Sequence, residues 1–466
     1  MGGDTGPYDA RRGEFSFRGL TPGSPSLPQR LNRIVRRALL TAGAFAALLM
    51  FIAADGQMTL AFAQQASRPA RTPSDPATLA FTSDSPRIYL MTMGQGDQVY
   101  ELFGHDALWV HDPTQAMDTV YNWGVFSFDQ PHFVLRFLHG DMEYLMLGEP
   151  LDVTIAAYKI LNRQVWVQEL NLTDTERKAL VTFLHWNARP ENATYRYDYY
   201  RDNCSTRVRD AIDRVTGGQI RAQLKAIKTD ETYRSHSLRL MQGNEPMVSG
   251  VELLLGRPTD VRLSADETSF LPVELLKHLR TVRLDGGKRP LLKEEFVLNE
   301  ATRPPEPTRA PRLWIWFAPI GLLLTALVLW LSAHAETVGR RRALAATIAI
   351  LAAIFGILGS VIAALITLTD HVAAHGNENI FMLNPLWLVI AVLGPMVILR
   401  RRARTTAVLL VRVAAAAGCV AVLLHLVGLS RQPNWDTIAL VLPVELAIAW
   451  VLVDASWAVT GKGPSV

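Results

Sequence analysis

Residues 313–334 read LWIWFAPIGLLLTALVLWLSAH, an apolar run without Asp, Glu, Lys or Arg. Four similar runs follow it near 343–368, 379–399, 407–429 and 437–458. A helix of about 20 apolar residues spans a hydrocarbon core of about 30 Å. The last third of the chain, 313–466, is therefore predicted to be an all-α domain of five transmembrane helices.

The loops between these runs differ in basic charge. Three arginines at 340–342 follow the first run, and four arginines between 400 and 404 follow the third. The other two loops contain only one arginine, Arg431, and no lysine. Short loops rich in Lys and Arg stay in the cytoplasm. Everything before residue 313 is therefore predicted to lie outside the cytoplasm, and the C-terminus inside.

The first 63 residues have the pattern of a signal peptide or an uncleaved signal anchor. Arginines between 30 and 37 precede an apolar run at 38–54, and the sequence AFA ends at Ala63. Two Pro-containing segments, 64–83 and 301–312, are predicted to be linkers. They bound one extracytoplasmic domain, 84–300, which is long enough for a core of its own.

This domain is predicted to be α+β. Short Val-, Tyr-, Trp- and Leu-rich runs predict strands near 87–92, 105–111, 118–123, 143–147 and 163–170, and the second half is predicted to be helical. Thr173 and Glu176 form a capping-box pattern ahead of one helix. A second helix is predicted to follow Asn203 and to end at Gly217 and Gly218.

The domain has one cysteine, Cys204, in the first turn of the second of these helices; the other cysteine of the chain, Cys419, lies in the fourth apolar run. A helix N-terminus stabilises anions, so the pKa of the Cys204 thiol is expected to be lowered and its thiolate to be a nucleophile. A thiolate needs a base, and His105 on the second predicted strand is the candidate. A structural cysteine and a structural histidine are the alternative.

A metal site built from His105, Asp106, His111 and Asp112 is a competing hypothesis. The two histidines are six residues apart on one strand, a separation of about 20 Å, which is too far for one ion. The sequence therefore predicts no metal and no cofactor. The net charge of +4 is accounted for largely by the arginines of the membrane segments, so no nucleic-acid partner is expected.

Four blocks of the domain are GQGD at 94–97, FGHDAL at 103–108, YNWG at 121–124, and 197–207, which contains NCSTR. In these blocks the chain resembles the bacterial family of Lnb N-terminal periplasmic domains. The family takes its name from a lipoprotein intramolecular transacylase, which moves an acyl chain from the glyceryl group of a lipoprotein to its N-terminal amino group. The order of His strand and Cys helix is similar to that of permuted papain-like enzymes such as lecithin:retinol acyltransferase.

The resemblance implies a permuted papain-like periplasmic domain attached to the bacterial inner membrane. Carried onto this sequence, it implies Cys204 as nucleophile and His105 as general base, and Asn122 is the candidate that orients the imidazole. Substrate binding or oxyanion support is expected from Asn203, Ser205 and Tyr121. A membrane lipid or lipoprotein is the expected substrate.

Other functions remain open from the sequence. A cysteine peptidase or amidase of the cell wall is one, and a non-catalytic membrane sensor or scaffold is another. The polar loop around 370–379 is predicted either to contact the lipid head groups or the soluble domain, or to be solvated. Glu445 in the fifth apolar run is expected to face another helix, because a carboxyl group is costly to bury in lipid.

Overall fold

The structure is a computed structural model that describes residues 85–114, 118–126, 132–400 and 404–454, all of which belong to one unit of the chain. The predicted signal segment, 1–63, and the predicted linker, 64–83, lie outside the described residues. The described residues form a mixed α/β domain followed by apolar helices. The predicted fold class is confirmed at this level.

The centre of the first domain is a seven-stranded antiparallel sheet with the strand order β6-β4-β3-β2-β1-β5-β9. A separate two-stranded ribbon pairs β7 with β8. The first five strands confirm the five predicted from the sequence. The strands are β1 (Arg87–Met93), β2 (His105–His111), β3 (Thr119–Val125), β4 (Glu143–Pro150), β5 (Val165–Leu170), β6 (Thr194–Arg196), β7 (Arg283–Leu284), β8 (Arg289–Pro290) and β9 (Leu292–Asn299).

Ten helices of the described residues surround this sheet. They are α1 (Phe133–His139), α2 (Leu151–Ile160), α3 (Asp174–Asn187), α4 (Pro190–Ala193), α5 (Cys204–Val215), α6 (Gln219–Ala226), α7 (Tyr233–Leu240), α8 (Glu245–Leu254), α9 (Ala265–Thr268) and α10 (Pro272–Leu279). Short 3-10 turns lie at Val99–Glu101 and Arg257–Asp260.

Strand β1 is covered on both faces. Ile88 and Leu90 point to the core that contains residues of α3, α5 and α10, whereas Tyr89 and Met91 point to the core that contains residues of α2 and β9. All four side chains are fully buried. Because successive side chains of a strand point to opposite faces, a central strand covered on both sides is apolar throughout. The sheet is therefore a fixed platform between two layers.

The two predicted helix starts are confirmed as capping boxes. The hydroxyl of Thr173 accepts a hydrogen bond from the N–H of Glu176, whose carboxylate accepts one from the N–H of Thr173. Asn203 and Thr206 form the same reciprocal pair at the start of α5. Helix α5 ends at Val215, and its C-cap, Thr216, directly precedes the predicted glycine pair.

The prediction of a helical second half was wrong at four strands, β6, β7, β8 and β9, of which β9 is the longest. This strand pairs with β5 and completes the edge of the sheet. Most of its side chains are half-buried or exposed, so its sequence lacks the apolar content that identifies the central strands. Its conformation is set by pairing with a strand more than 100 residues earlier in the chain.

In the described part of the chain, five helical segments are long and apolar enough to cross a membrane, as predicted. The spans are Trp314–Ala333 (α11), Val338–Leu368 (α12), Glu378–Arg400, Arg404–Leu426 (α14) and Trp435–Val453 (α15); the third consists of a 3-10 turn followed by α13 (Leu386–Arg400).

Small residues bring these helices into close contact. A Cβ atom on Gly359 of α12 would lie 2.5 Å from the backbone of Leu383, and one on Gly321 of α11 would lie 2.5 Å from the carbonyl oxygen of Ala439. Glycine permits this approach because it has no side chain. Glu445 is fully buried and faces Gly418 of α14, so the expectation that it faces another helix is confirmed.

The outer loops of the bundle bind the periplasmic domain directly. The side chains of Asn377 and Asn379 donate hydrogen bonds to the carbonyl oxygen of Leu253, at 2.8 and 3.0 Å. The N–H of Gly256 donates to the carbonyl oxygen of Ala373 at 2.7 Å. Of the three possibilities for this loop, contact with the soluble domain is the one that the structure shows.

Candidate active site

Cys204 is the first residue of α5, and its position is fixed by the preceding asparagine. The side-chain oxygen of Asn203 accepts a hydrogen bond from the N–H of Thr206, and its amide nitrogen donates to the carbonyl oxygens of Tyr199 and Phe270, at 3.0 and 2.9 Å. Asn203 is buried, whereas Cys204 is half-buried. The cap therefore anchors the helix start and leaves the thiol at an accessible edge.

Backbone groups surround the sulfur atom of Cys204. The N–H groups of Asp106, Cys204 and Ser205 can hydrogen-bond its thiolate form. On the side of β3, a Cβ atom on Gly124 would lie 3.6 Å from Cβ of Cys204. The absence of a side chain at Gly124 therefore leaves room for the helix to approach the sheet.

His105 is the first residue of β2 and is half-buried. Its Nε2 lies 3.1 Å from the side-chain oxygen of Asn122. The amide nitrogen of Asn122 faces two acceptors, the carbonyl oxygen of Val120 at 3.3 Å and a carboxylate oxygen of Glu149 at 3.4 Å. The amide orientation therefore makes Asn122 the acceptor and Nε2–H of His105 the donor, which leaves Nδ1 unprotonated and free to act as a base.

The register of the β2–β3 hairpin brings these groups together. Ala107 pairs with Asn122, so His105 and Gly124 lie at the same end of the two strands. Cys204 contacts this end through Gly124 and the backbone of Asp106. The register thus brings the predicted nucleophile, base and orienting amide to one end of the central strands β2 and β3, where the Asn122 side chain contacts His105.

The expected pKa of the thiol was wrong in direction. Burial, together with the nearby carboxylate of Asp106, raises the pKa of Cys204 to about 12. The three backbone N–H groups lower it, as expected for a helix N-terminus, but burial outweighs them. The resting form of Cys204 at neutral pH is therefore the thiol.

The pKa of His105 is shifted in the opposite direction. Burial and the positive charge of Arg163 lower the pKa of His105 to about 4, against the hydrogen bond to Asn122, which raises it. The imidazole is therefore neutral at pH 7. Thiol and imidazole therefore both rest uncharged at neutral pH, so the site holds no preformed thiolate–imidazolium pair.

Asp106 has a role at the site that the sequence did not predict, because its position there indicated only a possible metal ligand. Its carboxylate is fully buried and lies 2.7 Å from the hydroxyl of Thr92 and 2.7 Å from that of Ser205. Burial raises the pKa of Asp106 to about 7. Thr92 is on β1 and Ser205 on α5, so Asp106 joins the nucleophile helix to two strands of the sheet.

Three residues predicted to bind substrate or support an oxyanion have side chains with other contacts. The Asn203 side chain caps α5, and the Ser205 hydroxyl faces Asp106 and the carbonyl oxygen of Ser269. Tyr121 is buried in the core between the sheet and the helices, 6.1 Å from the ring of His185. For oxyanion support the structure offers the backbone N–H of Ser205 rather than its side chain.

A row of aromatic rings leads away from Cys204. Tyr197 lies beside Gly124 and stacks on Tyr144 at 4.1 Å between ring centroids. Tyr144 stacks on Phe126 at 4.9 Å, and Phe126 meets Tyr100 edge to face at 5.9 Å. Tyr100 is exposed. The row is an apolar strip that begins next to the thiol and ends at the surface.

A cavity of about 530 Å³ lies where the periplasmic domain meets the outer loop of the bundle. It is lined by the segment 196–202, which leads into α5, and by loop residues that include His371 and His375. Neither Cys204 nor His105 lines it. The cavity is thus next to the candidate site without being part of it.

Residues of the competing metal hypothesis have other hydrogen-bond partners in the structure. Nδ1 of His111 lies 2.7 Å from a carboxylate oxygen of Asp118, and Asp106 faces hydroxyl groups. Among the described residues, no group of three or more His, Cys, Asp or Glu is arranged to hold a metal ion.

Two family models match the chain, and together they cover more than half of it. The Lnb N-terminal periplasmic domain matches residues 74–239, a range that contains His105, Asn122 and Cys204. The Lnb transmembrane domain matches residues 311–427. The chain belongs to the Lnb family. No significant match was found among curated proteins or among solved structures.

Membership of the Lnb family fixes the location of the candidate site. The protein is a multi-pass protein of the inner membrane whose soluble domain lies in the periplasm. This agrees with the topology predicted from the arginines of the loops. The Lnb periplasmic match ends within α7, so β9 and α10 lie beyond it.

Proposed function

We propose that this protein is a periplasmic thiol-dependent acyltransferase, of the lipoprotein transacylase type, that acts on acyl groups held in the membrane. The observation that carries the proposal is the convergence of Cys204, His105 and Asn122 at one end of the central strands β2 and β3. A thiol at a helix start, a neutral imidazole and an amide that fixes its tautomer are the parts that covalent acyl transfer requires.

The first step forms a thioester. Nδ1 of His105 takes the proton from Cys204 as the sulfur attacks the ester carbonyl of the acyl donor. The resulting tetrahedral intermediate collapses with cleavage of the ester C–O bond, and the imidazolium returns its proton to the leaving alcohol oxygen. Because the pKa of His105 is low, its imidazolium form is more acidic than an ordinary imidazolium and gives up this proton readily.

Backbone N–H groups support the negative charge that develops in this step. The N–H groups of Cys204 and Ser205 belong to the first turn of α5. Backbone N–H groups in the first turn have no acceptor within the helix. Donors held in place beforehand stabilise an oxyanion without reorganisation, and one such donor contributes roughly 100-fold to 1000-fold in rate.

The second step regenerates the thiol. An amine attacks the thioester carbonyl, its proton passes to His105, and the C–S bond breaks. The thiolate then takes the proton from the imidazolium, so the products are an amide and free Cys204. If water replaces the amine, the same sequence gives hydrolysis and a free fatty acid. In the proposed reaction, the acceptor of the acyl group is the amine.

The docked bundle supports a membrane-borne donor. The periplasmic domain is bound to the outer loops through Leu253 and Gly256, so its site stays near the bilayer surface. The aromatic row from Tyr197 to Tyr100 offers an apolar surface beside the thiol, which suits an acyl chain better than a polar peptide.

The test uses the full chain in lipid vesicles with a synthetic lipopeptide that carries an ester-linked diacylglyceryl group and a free N-terminal amine. Mass spectrometry is expected to find an acyl adduct on Cys204 and N-acylated product. Cys204→Ser is expected to abolish both, and the matched control Cys419→Ser to retain both. Full N-acylation by Cys204→Ser, or cleavage of a cell-wall peptide with no acyl adduct, would overturn the proposal.

A further inference from the structure

Helix α1 exposes three large apolar side chains. The exposed fractions of Leu135, Phe137 and Leu138 are 65%, 44% and 39%. Three large apolar side chains exposed within seven residues form a patch that a solvated surface does not favour. The patch therefore requires an apolar neighbour.

The charged residue within the helix does not break this patch. Arg136 turns toward the domain, where it lies 3.0 Å from a carboxylate oxygen of Glu143 and 3.7 Å from one of Asp141. His139 at the helix end lies 3.9 Å from the carboxylate of Asp370. The polar groups thus have partners within the protein, and Leu135 and Leu138 remain exposed, as does Phe137, whose ring also meets that of His371 edge to face.

The position of the helix identifies the neighbour. The carbonyl oxygen of His139 accepts a hydrogen bond from the N–H of Asp370 at 2.7 Å, and that of Phe137 lies 3.0 Å from Nε2 of His371. Asp370 follows two residues after Leu368, which ends the second transmembrane helix and has an exposed fraction of 69%. Helix α1 is therefore fastened to the periplasmic end of a membrane span.

Tryptophans at the outer ends of the spans mark the same level. Trp314 and Trp316 at the start of α11 and Trp435 at the start of α15 are all exposed. Exposed tryptophans at span ends lie at the level of the lipid head groups. An apolar surface fastened at that level borders the upper acyl chains of the bilayer.

We propose that α1 is an interfacial membrane helix, with Leu135, Phe137 and Leu138 inserted among the lipids of the periplasmic leaflet. It is not a transmembrane segment, since seven residues are far too few to cross the bilayer. It lies flat at the interface and gives the periplasmic domain a second attachment to the lipid. This inference concerns position only, and it holds whether or not Cys204 transfers acyl groups.

The test is a depth measurement by spin labelling. Leu135→Cys and Leu138→Cys are made separately in the full chain carrying Cys204→Ser and Cys419→Ser, labelled with a nitroxide, and reconstituted in phosphatidylethanolamine–phosphatidylglycerol vesicles. The collision rates of the label with oxygen, which concentrates in lipid, and with a water-soluble nickel complex are then compared.

The oxygen-to-nickel ratio at both positions is expected to be several-fold above that at Trp186→Cys, an apolar side chain of similar exposure on α3. It should approach the ratio at Leu322→Cys, whose exposed side chain lies within the span α11. Ratios at Leu135 and Leu138 equal to that at Trp186, with Leu322 lipid-like in the same vesicles, would overturn the proposal. Two labelled positions keep the test decisive if one substitution prevents folding.

Discussion

The side-chain oxygen of Asn122 lies 3.1 Å from Nε2 of His105, and the amide nitrogen of the same side chain is turned toward Val120 and Glu149. The amide can therefore only accept from the imidazole. This single contact selects the Nε2–H tautomer of His105 and leaves its Nδ1 unprotonated.

Replacing Asn122 by Ala is expected to reduce the rate of Cys204 acylation by about 10-fold to 100-fold, because the imidazole loses its fixed tautomer and orientation but stays in place. Asn122→Asp keeps an acceptor and should retain more activity than Asn122→Ala. Acylation rates measured by quenched mass spectrometry test this order. Equal rates for wild type and Asn122→Ala would contradict the positioning role.

Replacing Asp106 by Asn is expected to lower the pKa of Cys204, because a negative charge near the sulfur disappears while the side chain keeps its size. The measurement is the pH dependence of Cys204 alkylation by iodoacetamide in a Cys419→Ser background. Ser205→Ala is the matched control, since it removes one hydrogen bond to Asp106 and keeps the charge. A curve unchanged in Asp106→Asn and shifted in Ser205→Ala would refute the electrostatic explanation.

His105 is expected to make stability depend on pH in the acidic range. Its pKa falls from 6.5 to about 4 on folding, so between these values the unfolded chain binds a proton that the folded chain does not. Stability from this group is present above pH 6.5 and is lost as the pH falls toward 4. Between pH 7 and pH 4.5, the unfolding temperature of His105→Gln should therefore fall by less than that of the wild type. A larger fall for the variant would contradict this prediction.

The contact between the two domains can be tested at a glycine. A Cβ atom on Gly256 would lie 2.2 Å from the carbonyl oxygen of His375, so Gly256→Ala forces the outer loop away from the domain. The expected cost is about 1–3 kcal/mol, seen as a lower unfolding temperature and faster proteolysis of the loop 369–377. Gly250→Ala is the control, because no atom lies within 4 Å of the added Cβ. Its unfolding temperature should stay the same or rise.

Features encoded locally could be predicted from the sequence. The capping box of Thr173 and Glu176 needs residues only three positions apart, and the central strands carry continuous apolar runs. The spans follow from length and composition alone. Strand β9 could not be found this way, because its exposed side chains resemble a loop and its pairing partner β5 is distant in the chain.

The candidate site shows the same division. The sequence pointed to Cys204, His105 and Asn122, but burial reversed the expected pKa shift of the thiol, and no local pattern reports burial. The side chains of Asn203 and Ser205 were predicted to serve the substrate. Their partners Phe270 and Asp106 are 67 and 99 residues away in the chain, so the structural role could not be seen locally.

Strand β9 has a consequence for biogenesis. The edge of the sheet is completed only when residues 292–299 reach the periplasm, and the first transmembrane helix begins at Trp314, shortly after them. During export, β5 lacks its second neighbour, β9, until almost the whole domain has been translocated. Pairing of β9 with β5 and lateral release of the span α11 into the bilayer therefore occur close together in time. A chain arrested before Leu292 would leave an open strand edge in the periplasm, where aggregation and proteolysis act on it.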